Sequence, residues 1–123
     1  MIIRYCIVLS GDIPSNRPEV MNAINSFVQE ITQKYPDKIN NVIIYGSVAR
    51  GEDTRESDVD LLITGKLDDW RFERELINIA FDIGLENGVY LSVKYLPQDR
   101  FAKAGSFSFF RTVSEEGVFV VSK

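Results

Sequence analysis

Residues 45–63 read YGSVARGEDTRESDVDLLI, and this stretch decides the fold. A Gly46-Ser47 turn follows one apolar run, and Asp58 and Asp60 lead into a second apolar run. Side chains two residues apart in an extended chain project to the same face, so the two carboxylates are expected side by side. Two carboxylates this close repel each other unless a cation lies between them. Carboxylate oxygens are suitable ligands for Mg²⁺ or Mn²⁺. Asp58 and Asp60 are therefore the predicted metal ligands.

The turn before them is predicted to bind phosphate. Gly46 allows the backbone to approach a phosphate closely, and the Ser47 hydroxyl can donate a hydrogen bond. A short helix is expected over residues 48–50, and its first N–H groups favour an anion. The alternative is an ordinary strand-to-helix turn in which Ser47 is only the N-cap. The alternative for the aspartates is that Asp58 is an ordinary turn residue and that Asp60 caps local backbone groups.

The charges around the turn have more than one interpretation. Arg50 is expected either to contact a phosphate or a site carboxylate, or to be a solvated cation at a helix end. Glu52, Asp53 and Arg55 are expected to be solvated loop charges, and Ser57 to orient the loop before Asp58.

The pattern G-S-x-A-R-G followed by S-D-x-D-L-L resembles the signature of the DNA polymerase β-type nucleotidyltransferase superfamily, and most of all its small stand-alone members, the minimal nucleotidyltransferases. The resemblance implies an enzyme that binds Mg²⁺ with a nucleoside triphosphate, ATP first among them. It implies transfer of the nucleoside monophosphate to a hydroxyl of a protein or small molecule, with release of pyrophosphate.

One family feature is missing. Active members carry a third carboxylate on the strand after the second helix, where it serves the metal that activates the nucleophile. Here residues 89–95 read VYLSVKY, without Asp or Glu, and Ser92 is the position expected to face Asp58 and Asp60. The triphosphate half of the site is therefore predicted to be whole and the acceptor half incomplete.

This departure keeps a second function open. The alternative is a weakly active or non-catalytic nucleotide-binding partner protein, such as an antitoxin-like or regulatory subunit. Some minimal nucleotidyltransferases are paired with a small helical protein, so such a partner or a homo-oligomer is compatible with the resemblance. The small members lack the acceptor-binding domain of larger relatives, which implies that the acceptor arrives on a partner or an open face.

Composition excludes several other classes. The chain of 123 residues has no histidine and a single cysteine, which excludes Ser-His-Asp catalysis, His-ligated zinc and an internal disulfide. A net charge of −4 argues against a large nucleic-acid surface. No apolar run is long enough to cross a membrane, and a cytoplasmic location is expected by default.

Periodicity predicts one α/β domain over residues 1–123, a small mixed sheet flanked by helices with the nucleotidyltransferase fold. The connection between the two motif strands is too short for a crossover helix, so those strands are expected to be antiparallel. Ser15 or Asn16 is the predicted N-cap of the first helix, and Leu85 is a candidate for the buried face of the second. The predicted elements are strands over 2–9, 41–45, 59–64 and 89–96, helices over 18–35, 67–86, 97–104 and 107–116, and an apolar tail over 118–121.

Overall fold

A computed structural model describes residues 6–7, 15, 17–103 and 108–122 of the chain. Within them, strands and helices alternate as the sequence predicts. The elements are β1 (Cys6–Ile7), α1 (Pro18–Lys34), β2 (Ile39–Tyr45), β3 (Val59–Gly65), α2 (Trp70–Asn87), β4 (Leu91–Pro97), α3 (Gln98–Lys103), α4 (Ser108–Glu116) and β5 (Val118–Ser122).

The described strands form one mixed sheet in the order β1-β5-β2-β3-β4. Strands β2 and β3 are antiparallel, which confirms the prediction from their short connection. Strands β3 and β4 are parallel, because α2 provides the crossover between them. The predicted α/β class, a mixed sheet flanked by helices, is therefore confirmed.

The apolar segment after Gly117 is a strand, so the expectation of a simple tail is wrong. Strand β5 lies between β1 and β2 and is antiparallel to both. A side chain on Gly117 would overlap the Val113 carbonyl and Ile43, so glycine is required where α4 turns back into the sheet. Of the strand expected over residues 2–9, residues 6–7 are described and pair with β5; the remainder lies outside the described residues.

Helices α1 and α2 cover one face of the sheet. The apolar residues of α1 repeat at helical spacing and form one buried face. This face belongs to the same core as the buried side chains of β3, among them Val59, Leu61 and Ile63. Helix α1 starts with Pro18 at its first position, and its N-cap is Arg17, which makes no side-chain cap. The predicted cap by Ser15 is therefore wrong, because its hydroxyl accepts from the N–H of Arg17 itself and donates to the Asp53 carboxylate, and does not reach the first turn of the helix. Asn16 lies outside the described residues.

Helix α2 begins at Trp70, three residues after the predicted start, and both of its ends are capped. The Asp69 carboxylate accepts a hydrogen bond from the Arg71 N–H at 2.9 Å, a cap of about 1 kcal/mol. Gly88, at φ 70°, ends the helix in the left-handed conformation. Leu85, however, is 68% exposed, so its expected burial is wrong. Gly84 takes the inward position instead, against the Val89 carbonyl of the returning chain.

The opposite face of the sheet carries a smaller apolar cluster and a polar group. Ile43 and Leu62 pack there against Val113 of α4. Beside them, the Asn41 amide and the Thr64 hydroxyl both donate to the Gln98 side-chain oxygen, at 3.1 and 2.5 Å. These bonds matter because an unsatisfied buried polar group costs about 1–3 kcal/mol. These hydrogen bonds attach Gln98, the first residue of α3, to this face of the sheet.

None of the helices in the described part of the chain combines the length and apolarity needed to cross a membrane.

Candidate active site

Three side chains form a row across neighbouring strands on the face opposite α1 and α2. In the sheet register, Tyr45 at the end of β2 pairs with Asp60 of β3, and Asp60 pairs with Ser92 of β4. Residues paired in this way project to the same face of a sheet. Position 92, where the resemblance places a third carboxylate, therefore lies directly beside Asp60 and carries a hydroxyl.

The Asp60 carboxylate lies in an environment that disfavours its charge. Burial raises the pKa of Asp60 first, and repulsion by Asp58 raises it further, while Lys94 and Arg50 act in the opposite direction. Asp58 itself is exposed and directly precedes β3. The predicted proximity of the two carboxylates is therefore reflected in their electrostatic interaction. A divalent cation with oxygen ligands would relieve this repulsion, so the pair fits one such ion.

No third carboxylate from the described residues joins them. Across residues 6–7, 15, 17–103 and 108–122, no group of three or more His, Cys, Asp or Glu side chains could hold a metal ion. Of the commonest protein ligands, the described site thus offers the Asp58 and Asp60 carboxylates, and further ligands would have to come from substrate and water.

Tyr45 was not singled out as a site residue by sequence reasoning, although it opens the motif. Burial, with a smaller contribution from the Asp60 charge, raises the pKa of Tyr45 to about 12. The phenol therefore remains protonated throughout the physiological range and adds no negative charge to the site.

The turn after Tyr45 is built around Asp60. Gly46 has φ 76°, and a Cβ placed on it would overlap an Asp60 carboxylate oxygen. The Arg50 N–H donates to the Gly46 carbonyl at 3.2 Å, and the Glu52 N–H donates to the Ser47 carbonyl at 2.9 Å. Residues 46–51 thus form a hydrogen-bonded turn and not the predicted start of a helix. Glycine is required at position 46 mainly because a side chain there would overlap the Asp60 carboxylate.

We expect Gly46→Ala to displace the Asp60 carboxylate. The substitution adds both the clash with Asp60 and the strain of a positive φ, which costs about 1–2 kcal/mol for a residue with a side chain. Gly88→Ala is the matched control, because Gly88 has nearly the same φ and open space within 4 Å of the position that a Cβ would take. Urea denaturation should show a larger loss of unfolding free energy for Gly46→Ala than for Gly88→Ala. Equal behaviour of the two variants would contradict this role.

Arg50 contacts a loop carboxylate in this structure. Its Nε donates to Glu52 at 3.1 Å, and both side chains are exposed. Exposed pairs of this kind contribute about 0–1 kcal/mol, so the guanidinium can exchange this partner for a phosphate. Both interpretations of Arg50 made from the sequence remain compatible with its position.

The loop that delivers Asp58 is fixed by a residue that sequence reasoning misjudged. The Asp53 side chain is only 4% exposed, so the expectation of a solvated loop charge is wrong for it. Ser15 donates to its carboxylate at 2.9 Å, and Arg17 lies 3.6 Å away and also donates to the Thr54 carbonyl. A buried charge paired in this way holds the loop against the start of α1.

The last part of the loop is a small turn made by Ser57. Its hydroxyl accepts from the Thr54 N–H at 2.8 Å, and its own N–H donates to the Thr54 carbonyl at 3.0 Å. Ser57 therefore orients the loop before Asp58, as its sequence position predicts.

Lys94 is the other residue that the sequence reasoning missed. It follows Ser92 by two residues on β4 and therefore projects to the same face, where its side chain is exposed and its charge lowers the pKa of Asp60. Simple strand alternation counted from Ser92 would have found it. The β4 side of the site thus combines a neutral serine with a cation.

Comparison with known proteins identifies the family. The nucleotidyltransferase domain family matches residues 24–119, a segment that contains every candidate site residue named above. The chain belongs to the nucleotidyltransferase family. The resemblance drawn from the motif is thereby confirmed, and the family makes the chain a transferase by class.

Two relatives of this nucleotidyltransferase come from Methanocaldococcus jannaschii, and each bears the name putative protein adenylyltransferase. One is 38% identical over 95 residues, which is 77% of this chain and 91% of the relative. The other is 35% identical over 75 residues, which is 60% of this chain and 76% of the relative.

Two solved structures are also similar. One, described as a toxin-antitoxin with AMP-PNP, has a TM-score of 0.49 and 17% identity, and covers 80% of this chain and 73% of its own. The other, described as a putative nucleotidyltransferase from Sulfolobus solfataricus, has a TM-score of 0.46 and 18% identity, and covers 85% and 86%.

Proposed function

We propose that this nucleotidyltransferase binds ATP with Mg²⁺ and transfers its nucleoside monophosphate to a hydroxyl group of a protein or small molecule. The observation that carries the proposal is the half-buried Asp60 carboxylate, which lies against Gly46 and is repelled by Asp58. A pair of like charges held beside a glycine turn is unfavourable by itself and becomes favourable when a cation and its anionic ligand are bound.

Each residue has a distinct part in this proposal. Asp58 and Asp60 hold the divalent cation, Mg²⁺ or Mn²⁺, while Ser47 and the first N–H groups of the turn hold the triphosphate. Arg50 contacts a phosphate oxygen after releasing Glu52. Bound there, the cation would neutralise charge on the triphosphate as the transfer proceeds.

The proposed transfer forms one bond and breaks one bond at the α-phosphorus. The acceptor oxygen bonds to the α-phosphorus, the bond from that phosphorus to the bridging oxygen breaks, and pyrophosphate leaves with the electron pair. The hydroxyl proton passes to solvent. The chain has no histidine to accept it, and Ser92 is a poor base. The proposed isolated enzyme is accordingly slow.

The acceptor class is supported by the relatives. Both relatives from M. jannaschii are named putative protein adenylyltransferases, which favours a protein hydroxyl and ATP over the other choices. We include in the proposal a cytoplasmic location and an acceptor brought by a protein partner, either a small helical protein or another copy of the chain.

A second candidate function is favoured by the row across the sheet. Because Ser92 and not a carboxylate lies beside Asp60, a nucleotide-binding protein with little or no activity would use the same site. Such a protein would act as a regulatory or antitoxin-like partner. The two candidates differ in turnover and agree in nucleotide binding.

Thermal unfolding with nucleotides tests the shared part of the proposal. A ligand that binds the folded chain at 100 times its Kd stabilises it by about 2.7 kcal/mol, so ATP with Mg²⁺ should raise the melting temperature by several degrees. The same assay with GTP, CTP and UTP gives the base preference. Mg²⁺ alone, and ATP with a chelator, serve as controls. A melting temperature unaffected by every Mg·NTP would contradict the proposal.

A further inference from the structure

Lys94 lies on the same face of the sheet as the candidate active site, on the outermost of the described strands. Strand β4 is next to β3 at the edge of the sheet, and it pairs Ser92 with Asp60 and Lys94 with Leu62. Ser92 and Lys94 project to the same face, about 6–7 Å from each other along the strand. Lys94 is exposed, and the flexible four-carbon stem of a lysine spans such a distance. The ammonium is therefore within reach of a ligand bound over Asp60 and Ser92.

The neighbours of Lys94 on this face direct its charge towards the site. Leu62 beside it is buried in the smaller apolar cluster, and Leu96, two residues further along β4, packs against that cluster. The diagonal neighbours on β3 are Asp60 and Thr64, and the Thr64 hydroxyl is buried in the polar group at the start of α3. Of these four neighbours Asp60 alone is charged, and the charge of Lys94 lowers its pKa. The electrostatic field of Lys94 thus acts on the place where the proposed nucleotide is bound.

The charge on the β4 side of the site suits a transfer from a triphosphate. Such transfers develop negative charge, which two cations commonly share, one at the attacking oxygen and one at the leaving oxygen. In the described part of the chain Asp58 and Asp60 can serve one cation, and no third carboxylate joins them to serve another. A carboxylate at position 92 and the divalent cation held by it would together add one positive charge. Ser92 with Lys94 adds the same charge from the protein alone.

We propose that the Lys94 ammonium binds the α-phosphate of the nucleotide and supplies the positive charge that a second divalent cation would supply. The inference rests on the proposed function. The α-phosphate is the one concerned because the turn after β2, on the other side of Asp60, is proposed to hold the rest of the triphosphate. The ammonium donates to a non-bridging oxygen and stabilises the charge that develops there as pyrophosphate leaves. No proton passes to or from Lys94, so the bonds formed and broken are those given above.

Two structural uses of this lysine predict different results. Lysines on an edge strand keep it from pairing with other chains, and a lysine with that use alone is irrelevant to nucleotide binding. A lysine that only balances the charge of Asp60 competes with the divalent cation, so its loss would tighten Mg·ATP binding. A lysine that binds a phosphate has the opposite effect, because its loss weakens Mg·ATP binding.

Calorimetric titration with ATP and Mg²⁺ distinguishes these three cases. Lys94→Gln should raise the Kd about tenfold, the loss expected for a hydrogen bond between charged groups, and Lys94→Arg should raise it less because the charge is kept. Lys66→Gln is the matched control, since Lys66 is exposed and follows β3 at the end opposite Asp58. Circular dichroism checks that each variant is folded. A Kd that Lys94→Gln leaves unchanged or lowers would overturn this inference alone, whereas a wild-type chain that binds no Mg·NTP would overturn the proposed function as well.

A double-mutant cycle with position 92 tests whether Lys94 replaces a cation. At saturating Mg·ATP, Lys94→Gln should lower the rate of transfer of the α-phosphate label about 100-fold in the wild-type background. In the Ser92→Asp background the loss should be less than about tenfold, because the added carboxylate can hold a divalent cation in the same place. Lys94→Arg should restore most of the rate in the wild-type background. Equal losses in the two backgrounds, or equal rates for Lys94→Arg and Lys94→Gln, would overturn the proposal.

Discussion

Asp60→Asn is expected to abolish the Mg²⁺-dependent part of ATP binding and to lower nucleotide transfer about 1,000-fold. The substitution removes one of the two carboxylates available to the cation in the described site while keeping the shape of the side chain. Metal stabilisation of developing charge amounts to several kcal/mol, and each 1.36 kcal/mol changes a rate tenfold.

The fold itself should tolerate this substitution. Burial and Asp58 both raise the pKa of Asp60, so the folded chain disfavours the charged carboxylate when no cation is bound. A neutral amide relieves that penalty, and the metal-free variant should be at least as stable as the metal-free wild type. Loss of binding therefore cannot be attributed to unfolding.

Calorimetric titration with ATP, in Mg²⁺ and in a chelator, measures this effect directly. Glu30→Gln is a control that neutralises a carboxylate on the exposed part of α1. Asp58→Asn should resemble Asp60→Asn. Binding that is unchanged in Asp60→Asn, or that does not respond to Mg²⁺ in the wild type, would show that Asp60 is not a ligand.

Ser92→Asp is expected to increase transfer about tenfold or more. The register places position 92 directly beside Asp60 on the neighbouring parallel strand, so an aspartate there would bring a third carboxylate to the same face. The additional ligand would serve a cation on the acceptor side of the site. Lys94, on the same face, partly offsets the added negative charge.

The control for this substitution is Ser92→Asn, which adds similar volume without charge. Without divalent cations, Ser92→Asp should unfold at a lower temperature than Ser92→Asn, because three carboxylates then repel one another; Mg²⁺ should reverse the difference. Robust transfer by the wild-type chain, with no gain in Ser92→Asp, would show that the third carboxylate is dispensable and that the acceptor side is complete.

The parts of the fold that sequence reasoning anticipated are those determined locally. The strand that carries Asp60 and the helix that follows it depend on neighbours in the chain, and both lie close to the ranges that their patterns predict. The register of Ser92 also followed by counting along a strand of clear apolar character.

Two of the parts that were missed depend on distant segments. Strand β5 becomes a strand only because β1 and β2 receive it, and a five-residue apolar segment does not reveal such partners. Asp53 is buried because Ser15 and Arg17, far away in the sequence, reach its carboxylate. Leu85 was misjudged for a local reason, because it lies four residues after the exposed Phe81 and the helical period itself turns it away from the core.

Incubation of the chain with Mg²⁺ and ATP, labelled either at the α-phosphate or at the γ-phosphate, tests the central claim most directly. The account predicts that label from the α-phosphate alone becomes attached to protein hydroxyl groups. The attachment should be slow in the wild type, faster in Ser92→Asp and absent in Asp60→Asn. Attachment of the γ-label, or absence of α-label transfer even by Ser92→Asp, would contradict it.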